Sequence, residues 1–362
     1  MTVVFAGGGT GGHLYPAIAI ADALQSRRAR VAFIGTADRL EATIVPKAGY
    51  RLDTIAGRPL TRAFSLAFLA TLASNLKGTF QSLALLARQR PDLVIATGGY
   101  VCFPVALAAR IRRLLRLSAA PVVLLEPNAE PGLTNRLLAP IVDEIWGASR
   151  DSRFGGKYRS TGVPVRGSLR ALPARDAAAR RLGLDPSLRT LVAMGGSQGA
   201  RSINDALIDL LKGGGLPPGW QLLPLTGEGD FARAGAALPN ARPYLDAMAD
   251  AYAVADLVLA RAGASTLGEL AALGKPAILV PYPFAAEGHQ SANAAAVERS
   301  GAAVVLTDER LQAGGLRAAL AETTAPARLA ELAAAAARLA TADPLAAILA
   351  RIDALAPRKG EE

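Results

Sequence analysis

Twice in this chain a short apolar run ends in a cluster of glycines that opens directly into helical periodicity. The first is Val3–Ala6, followed by Gly7-Gly8-Gly9-Thr10-Gly11-Gly12-His13. The second is Arg189–Met194, followed by Gly195-Gly196-Ser197-Gln198-Gly199-Ala200. A short apolar run bounded by turn residues is the pattern of a strand buried on both faces of a parallel sheet. Such a strand needs a crossover to reach its neighbour, and a helix starting at a glycine turn supplies one. Further runs at Val31–Gly35, Val122–Glu126, Ile141–Trp146, Asp256–Leu259 and Ala277–Val280 alternate with helical stretches. The expected fold class is therefore α/β, with two Rossmann-like, doubly wound domains. A length of 362 residues with 51% hydrophobic content suits two cores rather than one. The alternation stutters at Tyr158–Arg166, where Gly162 and Pro164 cluster, and a hinge is expected near Val163–Arg170, separating residues 1–163 from 164–343.

The net charge of +10 favours anionic partners. Nucleic acid is not expected among them, because no nucleic-acid motif is present and aromatics are only 5%. The single cysteine, Cys102, excludes internal disulfides and fits a reducing compartment. Met1-Thr2-Val3-Val4-Phe5-Ala6 enters a strand without a basic n-region, so no secretory signal is expected. No spanning helix of about 18 apolar residues is expected either. The predicted location is cytoplasmic, with membrane contact left open.

A strand, a glycine turn and a helix N-terminus make an anion site, because first-turn N–H groups lack partners and the helix dipole points at the ligand. The first loop contains G-x-G-x-x-G at Gly7, Gly9 and Gly12, but a dinucleotide site needs an acid ending the second strand, where Gly35-Thr36 stands. A P-loop fails more clearly, since His13-Leu14 follows Gly12. His13 is one of two histidines and begins a helix beside the glycines, which makes it the first candidate for proton transfer. Glu126, ending a strand, is the second candidate, with a capping role as its alternative. In the second half, Arg261-Ala262-Gly263-Ala264-Ser265-Thr266 is another small-residue turn, with Glu269 in the helix behind it. A carboxylate accepts two hydroxyl hydrogen bonds and suits a sugar diol, so a phosphate site beside a diol site suggests a nucleotide. With no D-x-D pair and no Cys/His cluster, no metal or cofactor is expected. Between residues 60 and 90, Leu66, Leu69, Leu72 and Leu76 keep helical spacing, with Phe64, Phe68 and Phe80 beside them. Arg58, Arg62, Lys77 and Arg88 flank this stretch, and Arg110, Arg112, Arg113 and Arg116 lie on the next helix. This is either a pair of core helices or an apolar, basic-rimmed patch that enters an anionic bilayer surface.

The Asp256–Asn293 stretch resembles the donor signature of GT-B nucleotide-sugar glycosyltransferases. With GGTGGH at Gly8–His13, GGYV at Gly98–Val101, GLTN at Gly132–Asn135, MGGSQGA at Met194–Ala200 and Tyr244–Met248, the chain is similar to the MurG family of peptidoglycan N-acetylglucosaminyltransferases from Val3 to about Val305. The resemblance implies a GT-B fold whose N-terminal half takes the acceptor and faces the membrane. Its C-terminal half takes the donor across a cleft, and a last helix at about 344–356 crosses back. It implies inverting transfer of N-acetylglucosamine from UDP-GlcNAc to the C4 hydroxyl of undecaprenyl-pyrophosphoryl-MurNAc-pentapeptide, lipid I to lipid II, at the cytoplasmic face of the membrane. Implied donor contacts are Thr10, Gly11, Gly12, Asn128, Arg166, Ser197, Gln198, Leu245, Arg261, Glu269, His289 and Gln290. Implied acceptor contacts are Gly9, Gly99, Tyr100 and Asn135, with His13, then Glu126, as the base. Cys102, Phe103 and Pro127 depart from the family pattern and put the acceptor loops in question. A UDP-GlcNAc 2-epimerase of the same fold would share the donor site without an acceptor loop or lipid patch. An NAD(P)-dependent oxidoreductase or a non-catalytic sugar-nucleotide binder are further alternatives.

Overall fold

The structure is a computed structural model that describes residues 1–59, 66–148, 154–196 and 199–356. It divides into two compact units, Met1–Arg166 with Thr341–Glu362, and Gly167–Ala340.

The first unit opens with β1 (Thr2–Ala6), α1 (Gly11–Ser26), β2 (Arg30–Gly35), α2 (Leu40–Lys47), β3 (Leu52–Thr54) and α3 (Leu66–Gln89). It continues through β4 (Leu93–Ala96), α4 (Cys102–Leu114), β5 (Val122–Glu126), α5 (Leu133–Leu138), β6 (Glu144–Gly147) and β7 (Tyr158–Ser160). The strands pair in parallel in the order β3-β2-β1-β4-β5-β6-β7. Every residue of β4 and β5 is buried, as expected of strands covered by helices on both faces.

Two boundaries differ from expectation. The strand anticipated at Ile141–Trp146 begins only at Glu144, because the Asp143 carboxylate turns to accept from Val122 N at 2.8 Å and to pair with Arg113. Tyr158–Ser160, anticipated as a break, is instead a seventh edge strand paired with β6. Three residues between Gly156 and Gly162 leave too short a run for periodicity to register.

The second unit contains α6 (Arg175–Leu182), β8 (Arg189–Met194), α7 (Arg201–Lys212), β9 (Trp220–Leu225), α8 (Glu228–Ala234), α9 (Met248–Val254) and β10 (Ala255–Ala260). It closes with α10 (Ala264–Ala272), β11 (Ala277–Leu279), α11 (His289–Arg299), β12 (Ala303–Val305), α12 (Asp308–Arg310), α13 (Leu316–Thr323) and α14 (Pro326–Leu339). Its parallel sheet runs β12-β11-β10-β8-β9.

The last helix, α15 (Pro344–Leu355), belongs to the first unit. It buries Leu345, Ile348, Leu349 and Ile352 in the same core as Leu14, Ala17 and Ile18 of α1. Each such side chain contributes about 1.5–3 kcal/mol. Arg351 adds an ion pair to Glu144, which also accepts from Trp146 Nε1 at 2.9 Å. Pro326–Leu355 contains an apolar window, of mean hydropathy 1.4. The chain breaks inside it, however, where Asp343 caps α15 by accepting from Ala346 N at 2.9 Å. The halves α14 and α15 fall in different units, and each buries a stripe in its own core.

In each sheet the strand order reverses beside the first strand, and ligands of open parallel sheets bind beyond the carboxyl ends at such points. In the first unit this is between β1 and β4, which end level at Ala6 and Ala96. In the second it is between β8 and β10, level at Met194 and Ala260.

Candidate functional site

At the first switch point the Gly7–Gly12 loop and the Gly98-Gly99 turn after β4 interlock. Gly99 has φ +84°, and a Cβ on it would lie 2.5 Å from Gly8 O. Gly98 has φ +109°, and a Cβ there would lie 2.3 Å from His13 Nδ1. The half-buried His13 imidazole, in the first turn of α1, is thus held flush against the Gly98 backbone. Only residues without a side chain permit this approach. Cys102 ties the same corner: its Sγ accepts from Gly98 N at 3.1 Å and lies 3.0 Å from the carbonyls of Ala6 and Gly98. The thiol therefore makes the hydrogen bonds a serine hydroxyl would make. Burial pushes it up to about 12, against the opposing Gly98 hydrogen bond, so it stays protonated. Phe103 packs on the neighbouring core, and neither departure opens the loop.

Glu41 is a residue that motif reasoning passed over. Fully buried at the start of α2, its carboxylate accepts from Gly9 N at 2.9 Å, Thr36 N at 3.1 Å and Thr36 Oγ1 at 2.6 Å. An acid five residues after the Gly35-Thr36 that ends β2 was the available signal. The acid sought for a dinucleotide ribose thus faces the glycine loop instead, and a pyrophosphate would have to compete with a buried carboxylate for the Gly9 N–H. Tyr100 lies beside this group: its hydroxyl is 3.4 Å from Thr36 Oγ1, and its ring lines the approach to Gly9 and Gly57. Thr10, the exposed N-cap residue, precedes Gly11 and Gly12 at the helix opening.

The Glu126 carboxylate is spent on its own loop. One oxygen accepts from Asn128 N and Nδ2, both at 3.0 Å; the other accepts from Asn135 Nδ2 at 2.7 Å and Gly132 N at 3.3 Å. Burial raises its pKa, and these four donors offset part of the rise. The geometry favours the capping alternative over direct proton transfer. Asn135, expected to touch the acceptor, is 3% exposed and its Nδ2 serves the same carboxylate. Pro127 costs no hydrogen bond here, because the next residue's N–H is the one that Glu126 uses. At the end of this unit, the Arg166 guanidinium stacks over Tyr15 of α1 at 5.2 Å, a cation–π contact.

In the second unit, Gly199 N donates to Gly196 O at 3.0 Å, and α7 starts at Arg201. Ser197 and Gln198, expected in this turn, lie outside the described residues. Arg261, expected at the diphosphate, is only 9% exposed and otherwise engaged. It donates to Asp308 Oδ1 at 2.6 Å, Ser202 Oγ at 2.8 Å and Val280 O at 3.2 Å. Asp308, far off in sequence, supplies the counter-charge. Glu269, at 8% exposure, accepts from the hydroxyl of the fully buried Tyr252 at 2.7 Å. No spacing in the sequence announces either Tyr252 or Asp308. Leu245 is partly buried against the core below α9. His289 and Gln290 open α11, and Gln290 Oε1 accepts from Tyr282 N at 2.9 Å.

From Leu69 to Ser82 the helix α3 has its amphipathicity reversed. Leu69, Leu72, Leu76 and Phe80 are 55–64% exposed, while Thr71, Asn75, Thr79 and Ser82 are buried. Lys77 is exposed among the leucines. On α4, Arg113 pairs with Asp143 and Arg112 donates to Leu117 O, so these two are partly committed to the fold. Arg62 and Phe64 lie outside the described residues, as does the side chain of Leu66.

Comparison with known proteins extends this picture. The glycosyltransferase family 28 N-terminal domain matches residues 3–146, and the family 28 C-terminal domain matches residues 190–347. A relative from Chlorobium luteolum is 43% identical over 86% of this chain and 87% of its own length. One from Moorella thermoacetica is 42% identical over 96% and 97%. Both are named UDP-N-acetylglucosamine–N-acetylmuramyl-(pentapeptide) pyrophosphoryl-undecaprenol N-acetylglucosamine transferase. Among solved structures, Acinetobacter baumannii MurG matches with a TM-score of 0.73 at 26% identity, covering 98% of this chain and 99% of that one. The glycosyltransferase of kitacinnamycin matches at 0.69 with 17% identity, a likeness of fold alone.

Proposed function

The chain belongs to glycosyltransferase family 28, and we infer that it transfers N-acetylglucosamine from UDP-N-acetylglucosamine to the C4 hydroxyl of undecaprenyl-pyrophosphoryl-MurNAc-pentapeptide, forming lipid II from lipid I in peptidoglycan synthesis. The observation that carries this reading is the end-to-end match to the curated transferases, which spans both glycine-loop units rather than a donor half alone. A UDP-GlcNAc 2-epimerase is not favoured, since the relatives are named transferases. The Gly9–Glu41 bond weighs against an NAD(P) oxidoreductase.

The roles follow from local chemistry. The first unit takes the acceptor at Gly9, Gly99 and Tyr100, and His13 is the general base, worth about 10²–10⁴ in rate. Its support is geometric: the ring is fixed against Gly98 at a helix N-terminus between two loops. Glu126 is a positioning residue that orders the loop carrying Asn128. In the second unit, Glu269 accepts the ribose hydroxyls and Leu245 flanks the base. Ser197, Gln198 and the α7 N-terminus face the diphosphate, while His289 and Gln290 face the sugar. Thr10, Gly11, Gly12, Asn128 and Arg166 complete the donor contacts. Charge building on the departing UDP is met by N–H groups and Arg166, an electrostatic contribution that needs no reorganisation.

The exposed apolar face of α3 rests on the bilayer at the cytoplasmic face of the cell membrane, where Lys77 meets anionic headgroups. An unpartnered apolar stripe over a buried polar one is the wrong way round for a helix that faces water. The test is UDP release from UDP-GlcNAc with and without the lipid-linked muramyl acceptor. Acceptor-dependent release supports transfer; acceptor-independent formation of an epimer overturns it.

A further inference from the structure

The acceptor that this reading gives the first unit is an amphiphile: a polyprenyl tail, a pyrophosphate, then a sugar. A protein that holds it needs an apolar surface, a cationic group and a sugar site in that order. The exposed face of α3 meets the first need, and His13 with Tyr100 meets the last. The first glycine loop is a poor candidate for the pyrophosphate. Gly9 N donates to Glu41, and that buried carboxylate stands directly behind Gly8, where a Cβ would lie 2.3 Å from its oxygen. A doubly charged group in front of the loop would face an anion behind it.

The segment Ala56–Arg58 lies between α3 and the Tyr100 ring. Its backbone is fastened to the polar face of α3 at three points. Asn75 Oδ1 accepts from Arg58 N at 3.0 Å, Asn75 Nδ2 donates to Arg58 O at 3.2 Å, and Gln81 Oε1 accepts from Ala56 N at 2.7 Å. Asn75 is 4% exposed and sits on the helix between Leu72 and Leu76, whose side chains face out. Gly78 lets the segment lie flat on the helix, since a Cβ there would come 2.0 Å from Ala56 O. On the other side, Gly57 packs against the Tyr100 ring, where a Cβ would be 3.4 Å from Cε2. Arg58 thus directly follows the glycine that meets the Tyr100 ring, and its backbone is hydrogen-bonded to the helix that carries the apolar face. Its side chain is exposed, and among the described residues its guanidinium forms no ion pair or hydrogen bond.

We propose that Arg58 binds the pyrophosphate of the lipid-linked acceptor, between the membrane face of α3 and the sugar site at Tyr100. A guanidinium offers a planar fork of donors that matches two phosphate oxygens, and it remains charged at any working pH. The pinned backbone gives that fork a fixed origin, so the pyrophosphate also sets how far the muramyl sugar reaches past the membrane.

The proposal depends on the transferase reading, and the wild-type enzyme separates the two. If the wild type shows no acceptor-dependent UDP release, the reading fails before any variant is made. The variants are Arg58→Ala, Arg58→Lys and Lys77→Ala, assayed on a short-chain, detergent-free soluble acceptor carrying the pyrophosphate, and separately on the same acceptor in anionic vesicles. Arg58→Ala is expected to raise the acceptor KM on the soluble substrate by about tenfold or more, the scale of a charge-assisted hydrogen bond. The KM for UDP-GlcNAc and the melting temperature stay at wild-type values. Arg58→Lys recovers part of the loss, because a point charge replaces the fork. Lys77→Ala leaves the soluble assay unchanged and weakens only vesicle binding. An unchanged acceptor KM for folded Arg58→Ala overturns the proposal. So does a defect that appears only with vesicles, which would assign Arg58 to lipid headgroups instead.

Discussion

Replacing Glu269 with alanine should do two separable things. The carboxylate is 8% exposed and accepts from the Tyr252 hydroxyl at 2.7 Å, with Tyr252 itself fully buried. If the same carboxylate takes the ribose hydroxyls, the variant loses at least one charged hydrogen bond, about 1.5–3 kcal/mol or roughly a 10- to 150-fold rise in Kd. The Tyr252 hydroxyl is also left without that partner in the interior, at a cost of about 1–3 kcal/mol. For a unit of this size each kcal/mol lowers Tm by about 2–4 °C. Calorimetric titration with UDP and UDP-GlcNAc reads the first effect, and a thermal melt reads the second. Glu269→Gln keeps an acceptor for Tyr252 and should recover most of the melting temperature while recovering less of the affinity. Tyr252→Phe should do the reverse, because it keeps the carboxylate and removes only its internal partner. Both ligands should weaken together, since the ribose is common to them. A folded Glu269→Ala that binds UDP as tightly as wild type refutes the ribose assignment and leaves Glu269 a structural partner of Tyr252.

For the base, His13→Ala should depress kcat by about 10²-fold or more with donor affinity nearly intact. Recovery of most turnover by His13→Gln would reassign the residue to a hydrogen-bonding role. Replacing Leu69, Leu72 and Phe80 together with serine should weaken binding to anionic vesicles and spare activity on a short-chain acceptor; unfolding of the triple variant would make these residues core. Cys102, with its thiol pushed up to about 12 by burial, should resist iodoacetamide at pH 8 in the folded protein and react after denaturation. Cys102→Ser should preserve kcat, because a hydroxyl can make the same contacts with Gly98 and Ala6.

The fold class was legible because buried parallel strands are written as uninterrupted apolar runs, and β1, β5 and β8 could be read almost to the residue. The edge strand β7 was not, since three residues among glycines carry no period. The glycine loops were legible as loops, but not the group that governs the first one: Glu41 looks like an ordinary first-turn acid of α2 until the fold brings Gly9 to it. The same limit explains Arg261. A basic residue at a ligand-facing turn reads as a phosphate contact, and only the arrival of Asp308 from a distant segment shows it to be internally paired. Local sequence identifies which side chains stand at the ends of strands. Whether they point at a ligand or at each other is decided by partners of large sequence separation.

That distinction can be tested directly at Arg261. Its guanidinium serves Asp308, Ser202 and Val280 at once, joining the end of β10 to the start of α7 and to the chain leaving β11. Arg261→Met therefore removes the counter-charge of a carboxylate that is 9% exposed, and breaking a buried pair from one side costs about 3–5 kcal/mol. Adding Asp308→Asn removes the stranded charge, so the double variant should be more stable than Arg261→Met alone. The pH dependence has a definite sign. Burial pushes the Asp308 carboxyl up, but hydrogen bonds from Arg261 and Ser202 outweigh it, and the folded value lies below the ordinary 3.8. A depressed carboxyl contributes stability above its unfolded value and loses it as pH falls through the folded one. The advantage of wild type over Asp308→Asn should thus be flat near neutrality and fade in acid below about 3.8. A diphosphate ligand would behave otherwise: Arg261→Met would melt like wild type and show a raised KM for UDP-GlcNAc. That result, in a chemical-denaturation series paired with donor kinetics, would restore Arg261 to the donor site and strip the Asp308 pair of its structural role.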